Sequence, residues 1–320
     1  MAGGHISEQA PARGIETARP SWWFLLYRHV LAHKWVAAGL ALALLAVVAL
    51  LVQSAFQVFS GQAAAGLRLA LYGGLAGFVA TGLGALPALL LRRLPQQIED
   101  SMLGLAAGMM LAASAFSLLL PGLEAGASLL GHRGSGAAVV VFGMALGVLL
   151  MLGLDEFTPH AHDQSGPCGP GYEICGRVWL FVFAIALHNL PEGMAIGVSF
   201  SQGDMGVGLP LTTAIALQDI PEGLAVALAL RSAGVSAIYS VLIAAASGLL
   251  EPVGALLGVG LAGGLAVAYP IGLGLAAGAM LFVVSHEVIP ETHRNGHQTS
   301  ATLGLMTGFA LMMVLDTTLG

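Results

Sequence analysis

One decapeptide, Ala184-Ile-Ala-Leu-His-Asn-Leu-Pro-Glu-Gly193, recurs 30 residues later as Ala214-Ile-Ala-Leu-Gln-Asp-Ile-Pro-Glu-Gly223, with seven of ten positions identical. In each copy an imidazole or amide side chain lies four residues before a glutamate, and another polar side chain lies three residues before it. On an α-helix these spacings place all three polar side chains on one face. Because both stretches are otherwise apolar, the repeat predicts two helices that bring polar groups together in apolar surroundings.

The composition is that of a protein embedded in lipid. Of the 320 residues, 57% are hydrophobic and 9% are charged, whereas a soluble domain carries about 25% charged residues. The net charge of −6 leaves no basic surface for nucleic acid. The composition therefore excludes a disordered chain, a nucleic-acid-binding protein and an ordinary soluble enzyme. It predicts an all-α, polytopic transmembrane helix bundle, since a membrane β-barrel would alternate apolar and polar residues.

Nine apolar segments reach the length of roughly 20 residues that is needed to cross a bilayer. We name them span 0 to span 8, and they lie near residues 35–55, 66–91, 99–120, 136–157, 177–201, 208–230, 234–261, 266–289 and 300–319. Residues 1–65 are thus predicted to form an N-terminal tail and one extra transmembrane helix, and residues 66–320 eight core helices. The unbroken apolar run in span 0 favours a retained anchor over a cleaved signal peptide.

The basic residues predict the orientation, because Lys and Arg are enriched in cytoplasmic loops. With the N-terminus in the cytoplasm, nine of the 11 basic residues lie inside. Only Arg68 and Arg133 then lie outside. The C-terminus is predicted to lie outside as well.

A second set of repeats relates the two ends of the core. Leu103-Gly-Leu-Ala-Ala-Gly-Met-Met-Leu111 in span 2 matches Leu273-Gly-Leu-Ala-Ala-Gly-Ala-Met-Leu281 in span 7 at eight of nine positions, with an offset of 170. The same offset pairs Gly84-Ala-Leu86 with Gly254-Ala-Leu256 and Thr81 with Glu251, and the end of span 3 at Asp155 resembles the end of span 8 at Asp316. Spans 1–3 and 6–8 are therefore predicted to be inverted halves around spans 4 and 5, a 3+2+3 arrangement typical of transporters.

Seven polar residues are expected midway along spans 4, 5 and 6: His188, Asn189, Glu192, Gln218, Asp219, Glu222 and Glu251. An ionisable side chain at the centre of a membrane helix costs about 2.5–3.5 kcal/mol on insertion scales. Four of the seven are acids, and no Lys or Arg is expected at that depth. Two divalent cations would balance the four charges, so the cluster predicts a site for one or two metal ions. The alternative is a buried polar network that only holds the helices together.

The mixture of imidazole, amide and carboxylate ligands suits zinc and its first-row neighbours. Met110 in span 2 could add a thioether, although the residue taken alone favours core packing. Further polar residues near the ends of the spans suggest a path to and from the site. They are Ser117 and Asp316 at the outer ends, and Asp100, Asp155, His286 and Glu287 at the inner ends. The alternative for each of them is a solvated residue at a helix end.

A polar loop, residues 158–176, is predicted to lie on the cytoplasmic side. Its residues His160 and His162 are candidates for transient metal binding, and a solvated linker is the alternative.

The paired motifs His188-Asn-Leu-Pro-Glu-Gly193 and Gln218-Asp-Ile-Pro-Glu-Gly223 resemble those of the Zrt-/Irt-like protein (ZIP) family, most closely its bacterial GufA-like branch. The resemblance covers residues 66–320. It implies a transporter rather than an enzyme, with no catalytic cofactor, that moves zinc, and often cadmium, iron or manganese, into the cytoplasm. It also implies a homodimer in a bacterial inner membrane, with spans 1, 4, 5 and 6 as the moving unit.

The resemblance further implies two adjacent metal ions on spans 4, 5 and 6. The ligands carried over for the first are His188, Glu192, Gln218 and Glu222, with Met110 nearby; for the second they are Asn189, Glu192, Asp219, Glu222 and Glu251. The chain departs from the family at Gln218, where many relatives have histidine, and in having span 0.

Two other functions fit part of the pattern. A proton- or sodium-coupled carrier of another solute would explain buried acids, but not His188 one turn from Glu192. An intramembrane metalloenzyme would need a motif such as His-Glu-x-x-His, which the sequence lacks.

Overall fold

The computed structural model describes residues 22–59, 65–157, 160–162, 166–168, 177–262 and 265–319. Thirteen α-helices and one short hairpin make up its regular structure. The helices are α1 (Trp22–Ala32), α2 (Lys34–Phe59), α3 (Ala65–Ala85), α4 (Gln96–Ala112), α5 (Leu120–Leu130), α6 (Arg133–Phe157), α7 (Arg177–Phe200), α8 (Met205–Ser232), α9 (Ala237–Ser247), α10 (Leu250–Ala262), α11 (Ala268–Val283), α12 (Ile289–His293) and α13 (Gln298–Leu319). The hairpin strands are β1 (His160–His162) and β2 (Gly166–Cys168).

Within the described ranges, seven helical segments are long and apolar enough to cross a membrane: Ala65–Leu89, Gln96–Leu130, Arg133–Asp155, Met205–Ser232, Ala237–Ala262, Ala268–His293 and Gln298–Leu319. They match spans 1–3 and 5–8. Helices also occupy the other two expected spans, α2 over span 0 and α7 over span 4. The prediction of a polytopic helical membrane protein is confirmed.

Three local features differ from the prediction. The tail contains a helix, α1, which precedes α2 with only His33 between them. The loop after α6 contains an antiparallel hairpin in which His160 pairs with Cys168. Span 6 is divided into α9 and α10 at Gly248 and Leu249, immediately before the buried Glu251.

Two of the membrane helices widen into π-helical turns. One covers Ala113–Leu119, between α4 and α5, and the other covers Val284–Val288, between α11 and α12. Each turn is followed closely by a proline, Pro121 or Pro290. A proline has no amide hydrogen to donate to the carbonyl four residues earlier, and a π turn accommodates the resulting break in the hydrogen-bond ladder. The sequence did not predict these turns.

Glycines bring the helices into backbone contact. The most extensive packing joins α4 with α13, α6 with α11, α7 with α10, and α3 with α8. At Gly104 and Gly108 of α4, a Cβ atom would overlap the carbonyl oxygens of Ala301 and Leu305 in α13. At Gly274 and Gly278 of α11 it would likewise overlap those of Val140 and Met144 in α6. Close backbone approach through small residues is the usual packing mode of membrane helices.

The same kind of contact fixes the four helices that surround the polar cluster. A Cβ at Gly193 of α7 would overlap the Glu251 carbonyl of α10, and one at Gly223 of α8 would overlap the Thr81 carbonyl of α3. Both glycines follow directly after a glutamate of the repeated decapeptide. Close backbone contacts therefore lie beside the carboxylates and hold the helices that carry them.

A pair of glycine substitutions in α3 tests this packing. A Cβ at Gly84 would overlap the Ile220 carbonyl oxygen of α8, whereas a Cβ at Gly82 would meet the Ala245 Cβ at an ordinary 3.6 Å. We expect Gly84→Ala to destabilise the protein by about 1–3 kcal/mol, the usual cost of overpacking. Gly82→Ala should be neutral, or stabilising by up to about 1 kcal/mol through helix propensity.

The measurement is thermal unfolding of the two purified variants in detergent, followed by circular dichroism. Equal unfolding midpoints for Gly82→Ala and Gly84→Ala would contradict close packing of α3 on α8 at Gly84.

Candidate metal centre

Four helices supply the polar cluster predicted from the repeated decapeptides. α7 carries one copy, α8 carries the other, α10 carries Glu251, and α3 packs against α8 and α10. Pro191 and Pro221 lie inside α7 and α8, which continue through them. All seven predicted residues of the cluster are buried, with at most 7% of their surface exposed. The structure thus brings both motifs and Glu251 into the protein interior.

Three carboxylates converge at the centre of the cluster. Oxygen atoms of Glu192, Asp219 and Glu222 all lie within 4.8 Å of one another. A divalent cation binds carboxylate oxygens at about 2.0–2.6 Å, so atoms this close together can share one ion. The cluster joins one carboxylate from α7 with two from α8, which is the convergence that the i,i+3 and i,i+4 spacings predicted.

Glu251 approaches the same centre from α10. The Thr81 hydroxyl on α3 donates a hydrogen bond to Glu251 Oε1 at 3.0 Å. The other oxygen of Glu251 lies against Gly77, where a Cβ would overlap it, and the same Cβ would lie 3.0 Å from Asp219 Oδ2. Because Gly77 has no side chain, the carboxylates of Glu251 and Asp219 meet beside the backbone of α3. Sequence reasoning missed Gly77, but the offset of 170 did associate Thr81 with Glu251.

Several polar atoms of the cluster are left without a partner. Gln218 Nε2 donates to Glu192 Oε1. Six other buried side-chain atoms of the cluster have no hydrogen bond to any described residue: Asn189 Nδ2, Glu192 Oε2, Gln218 Oε1, Asp219 Oδ2, Glu222 Oε1 and Glu251 Oε2. Five of these are oxygens, which are the ligand atoms of a divalent cation. Buried polar groups are rarely left unsatisfied, so this concentration at one place points to an ion that completes them.

His188 has an additional partner from outside the two motifs. Its Nε2 lies 3.0 Å from Oε2 of Glu287, which belongs to the π turn between α11 and α12. Glu287 was predicted at the inner end of the path, together with Asp155 and His286. The structure places Glu287 against His188 and places His286 Nε2 4.0 Å from Asp155 Oδ2. The role of these three residues on the path stays a prediction.

Met110 lies within the main apolar core, with 1% of its surface exposed. Its carbonyl oxygen accepts a hydrogen bond from the Ser114 hydroxyl at 2.8 Å. This environment accounts for Met110 by packing, and its thioether as a metal ligand stays a prediction.

The outer pair predicted for the path is in direct contact. The Ser117 hydroxyl donates to Asp316 Oδ1 at 2.7 Å, joining the first π turn to the end of α13. Asp100, in contrast, is engaged in a network of its own. It is fully buried and accepts hydrogen bonds from Gln96 and Asn295, while its Oδ2 lies 2.9 Å from His297 Nδ1. This network ties the start of α4 to the segment before α13.

The two loop candidates, His160 and His162, lie on β1. Their side chains lie outside the described part of the structure, so metal binding by this loop stays a prediction.

The helices and the buried acidic cluster define a multi-pass membrane protein with a polar centre inside the bundle. A family model described as the ZIP zinc transporter matches residues 169–316. The zinc transporter ZIPB of Bordetella bronchiseptica is 62% identical over 288 residues, which is 90% of this chain and 93% of that protein. The zinc transporter GufA of Myxococcus xanthus is 46% identical over 243 residues, which is 75% of this chain and 95% of that protein.

A more distant relative, the zinc transporter ZIP11 of Homo sapiens, is 28% identical over 309 residues, covering 70% of this chain and 90% of that protein. The chain belongs to the ZIP family, in its bacterial GufA-like branch. The family resemblance found in the sequence is confirmed. These three relatives are named as transporters, and none is named as an enzyme.

The position of Gly77 gives a test of the site that leaves every candidate ligand unchanged. In Gly77→Ala the new methyl group would occupy the place of Glu251 Oε2. The end of a glutamate side chain can rotate aside, so we expect normal folding with a displaced carboxylate. Binding of Zn²⁺ should weaken about tenfold or more, which corresponds to about 1.4 kcal/mol.

Isothermal titration calorimetry on detergent-purified protein would measure this change. Gly82→Ala, in the same helix but away from the cluster, is the matched control. If the two variants bound Zn²⁺ equally well, Gly77 would not lie at the site.

Proposed function

We propose that this protein imports divalent metal ions, zinc first among them, through a site halfway across the membrane. The observation that carries the proposal is the group of four buried acids, Glu192, Asp219, Glu222 and Glu251. Among the described residues, no Lys or Arg pairs with these acids. Each acid has one buried oxygen without a hydrogen bond. Oxygens of Glu192, Asp219 and Glu222 lie within 4.8 Å of one another. A group of ionisable side chains of this kind inside a membrane protein marks an ion pathway.

The choice of metal rests on two arguments. The names of the relatives ZIPB, GufA and ZIP11 describe them as zinc transporters. The ligand set combines one imidazole with carboxylates and amides, which suits zinc and other first-row metals, and cadmium as a larger ion of the same charge. Gln218 is a neutral and weaker ligand than histidine, so we infer that the site tolerates more than one metal.

We infer that the site is binuclear, as the family motif implies. His188, Glu192, Gln218 and Glu222 would hold one ion, with Met110 nearby, and Asn189, Glu192, Asp219, Glu222 and Glu251 would hold the other. Glu192 and Glu222 then bridge the two ions. Charge balance supports two ions, because four carboxylates neutralise two divalent cations. The convergence of Glu192, Asp219 and Glu222 within 4.8 Å supports the bridging role.

The architecture we infer is eight core helices in a 3+2+3 inverted repeat, with α2 as an additional membrane helix. The glycine contacts support it, because they recur at the offsets found in the sequence. Gly104 and Gly108 of α4 correspond to Gly274 and Gly278 of α11 at an offset of 170, and their contact residues Ala301 and Leu305 correspond to Val140 and Met144 at an offset of 161. The contact between Gly193 and Glu251 likewise corresponds to that between Gly223 and Thr81.

The path we propose begins at Ser117 and Asp316 on the outside. Metal then exchanges its water for the ligands of the central site and leaves past Asp155, His286 and Glu287. We propose that His160 and His162 of the hairpin bind metal transiently on the inner side. Asp100 already has three polar partners, which makes a structural role a better account of it than a place on the path.

The positive-inside pattern supports a cytoplasmic N-terminus and an external C-terminus. We place the protein in a bacterial inner membrane, as a homodimer, by extension from the family. Neither the transport of another solute nor an enzymatic reaction is needed to account for the acidic cluster.

Metal uptake by proteoliposomes tests the proposed function. With a trapped fluorescent indicator, we expect saturable Zn²⁺ and Cd²⁺ influx into vesicles that contain the wild-type protein. The double variant Glu192→Ala/Glu222→Ala removes both bridging carboxylates and should reduce influx to the level of protein-free vesicles.

Glu291→Gln is the matched control, because Glu291 is half-exposed and paired with Arg294 at 3.2 Å, away from the site. Equal influx in wild type and the double variant would refute the central site. Wild-type vesicles without any metal influx would refute the transport function itself.

The number of bound ions tests the binuclear arrangement. Equilibrium dialysis followed by metal analysis should find two Zn²⁺ per chain in a His160→Ala/His162→Ala background, which removes any loop-bound metal. Asp219→Asn/Glu251→Gln in the same background should retain one Zn²⁺, since it removes ligands of the second ion only. One ion in both proteins would contradict two adjacent sites while leaving metal import intact.

A further inference from the structure

Glu287 lies outside the repeated motifs, yet it touches the only histidine within them. It belongs to the π turn Val284–Val288, and its Oε2 lies 3.0 Å from His188 Nε2. The two side chains are 10% and 7% exposed, so water competes little for this hydrogen bond. The Nε2 of the neighbouring His286 lies 4.0 Å from Asp155 Oδ2.

The chemistry of a histidine ligand explains why such a contact matters. An imidazole has two ring nitrogens, and a metal requires one of them without its proton. The proton then lies on the other nitrogen, where a hydrogen bond to a carboxylate fixes both the tautomer and the orientation of the ring. A carboxylate acceptor also makes the metal-facing nitrogen a stronger ligand.

We propose that Glu287 is a positioning residue for the metal site. It accepts a hydrogen bond from the Nε2–H of His188, and thereby leaves Nδ1 without a proton, as a metal ligand requires. Glu287 itself does not coordinate that ion. This inference rests on the proposed function, because it assigns a role to Glu287 only if His188 binds metal.

The location of Glu287 in the fold supports this role. At the offset of 170, Glu287 corresponds to Ser117, which lies in the other π turn and also reaches across to a different helix, at Asp316. Both π turns thus direct a polar side chain sideways from a membrane helix. In the second turn that side chain is a carboxylate. A carboxylate is the strongest hydrogen-bond acceptor that the chain could place beside the neutral imidazole of His188.

The contact also connects two groups of helices. His188 lies on α7, whose closest packing is with α10, whereas Glu287 follows α11, whose closest packing is with α6. The metal affinity conferred by His188 therefore depends on how these two groups are aligned. A shift of α7 along α11 would separate the two side chains and weaken the site without altering any ligand.

A double-mutant cycle tests the proposal. Zn²⁺ binding is measured by calorimetry on full-length detergent-purified protein for wild type, Glu287→Ala, His188→Ala and the double variant. We expect Glu287→Ala to raise the Kd about 10- to 100-fold, the usual effect of losing the carboxylate behind a histidine ligand. In the His188→Ala background the same substitution should change the Kd less than twofold, because no histidine remains to be positioned.

Glu287→Gln provides a graded variant, since its amide oxygen can still accept the hydrogen bond without the negative charge. Its Kd should lie between those of wild type and Glu287→Ala. Glu291→Gln, one turn further along and paired with Arg294, should bind as wild type does. Thermal unfolding of each variant identifies any loss of folding, and a cycle on Glu287→Gln alone suffices if Glu287→Ala does not fold.

Each alternative predicts a different change in the Kd for Zn²⁺. Equal weakening with and without His188 would show that Glu287 is itself a ligand, and tighter binding in Glu287→Ala would show that it competes with metal for His188. Either result, or an unchanged Kd, overturns the positioning role. A wild-type protein that bound no Zn²⁺ at the central site would instead overturn the proposed function.

Discussion

Burying four carboxylates between four helices is the constraint on which the rest of this protein depends. Each charge loses its hydration, and an isolated buried carboxylate is too costly to keep without compensation. Among the described residues, compensation is partial: Thr81 donates to Glu251 and Gln218 donates to Glu192. The remaining oxygens converge, and a divalent cation would relieve their mutual repulsion. This requirement is the physical basis of the proposed metal site.

The glycine contacts are the structural means of meeting that constraint. If α7, α8, α10 and α3 were separated by ordinary side chains, their carboxylates would be too far apart to share an ion. Backbone contact at Gly193 and Gly223 removes one layer of side chains beside Glu192 and Glu222. Gly77 removes another beside Glu251. Glycine lowers helix propensity in water, but here it sets the distances between the carboxylates of the cluster.

The sequence predicted the membrane helices, and it predicted that the polar side chains of the two motifs converge, because both depend on local patterns. Length and hydropathy determine which segments cross the membrane, and the spacing of His188 and Glu192 determines which face they share. Gly77 and Glu287 were harder to assign, since their roles come from helices that are distant in sequence. Only the offset of 170, which pairs Thr81 with Glu251, gave an indication that α3 approaches the site.

Because Glu287 lies in the π turn Val284–Val288, the direction in which its side chain points depends on the number of residues in that turn. A π turn holds one residue more than the α-helical turn it replaces, and each residue of an α-helix advances the chain by about 100°. If this turn relaxed to an α-helix, α12 would rotate by about that angle relative to α11. Glu287 would then leave His188 without any translation of the helix, so a twist inside one helix would undo the contact that we propose to position the ring.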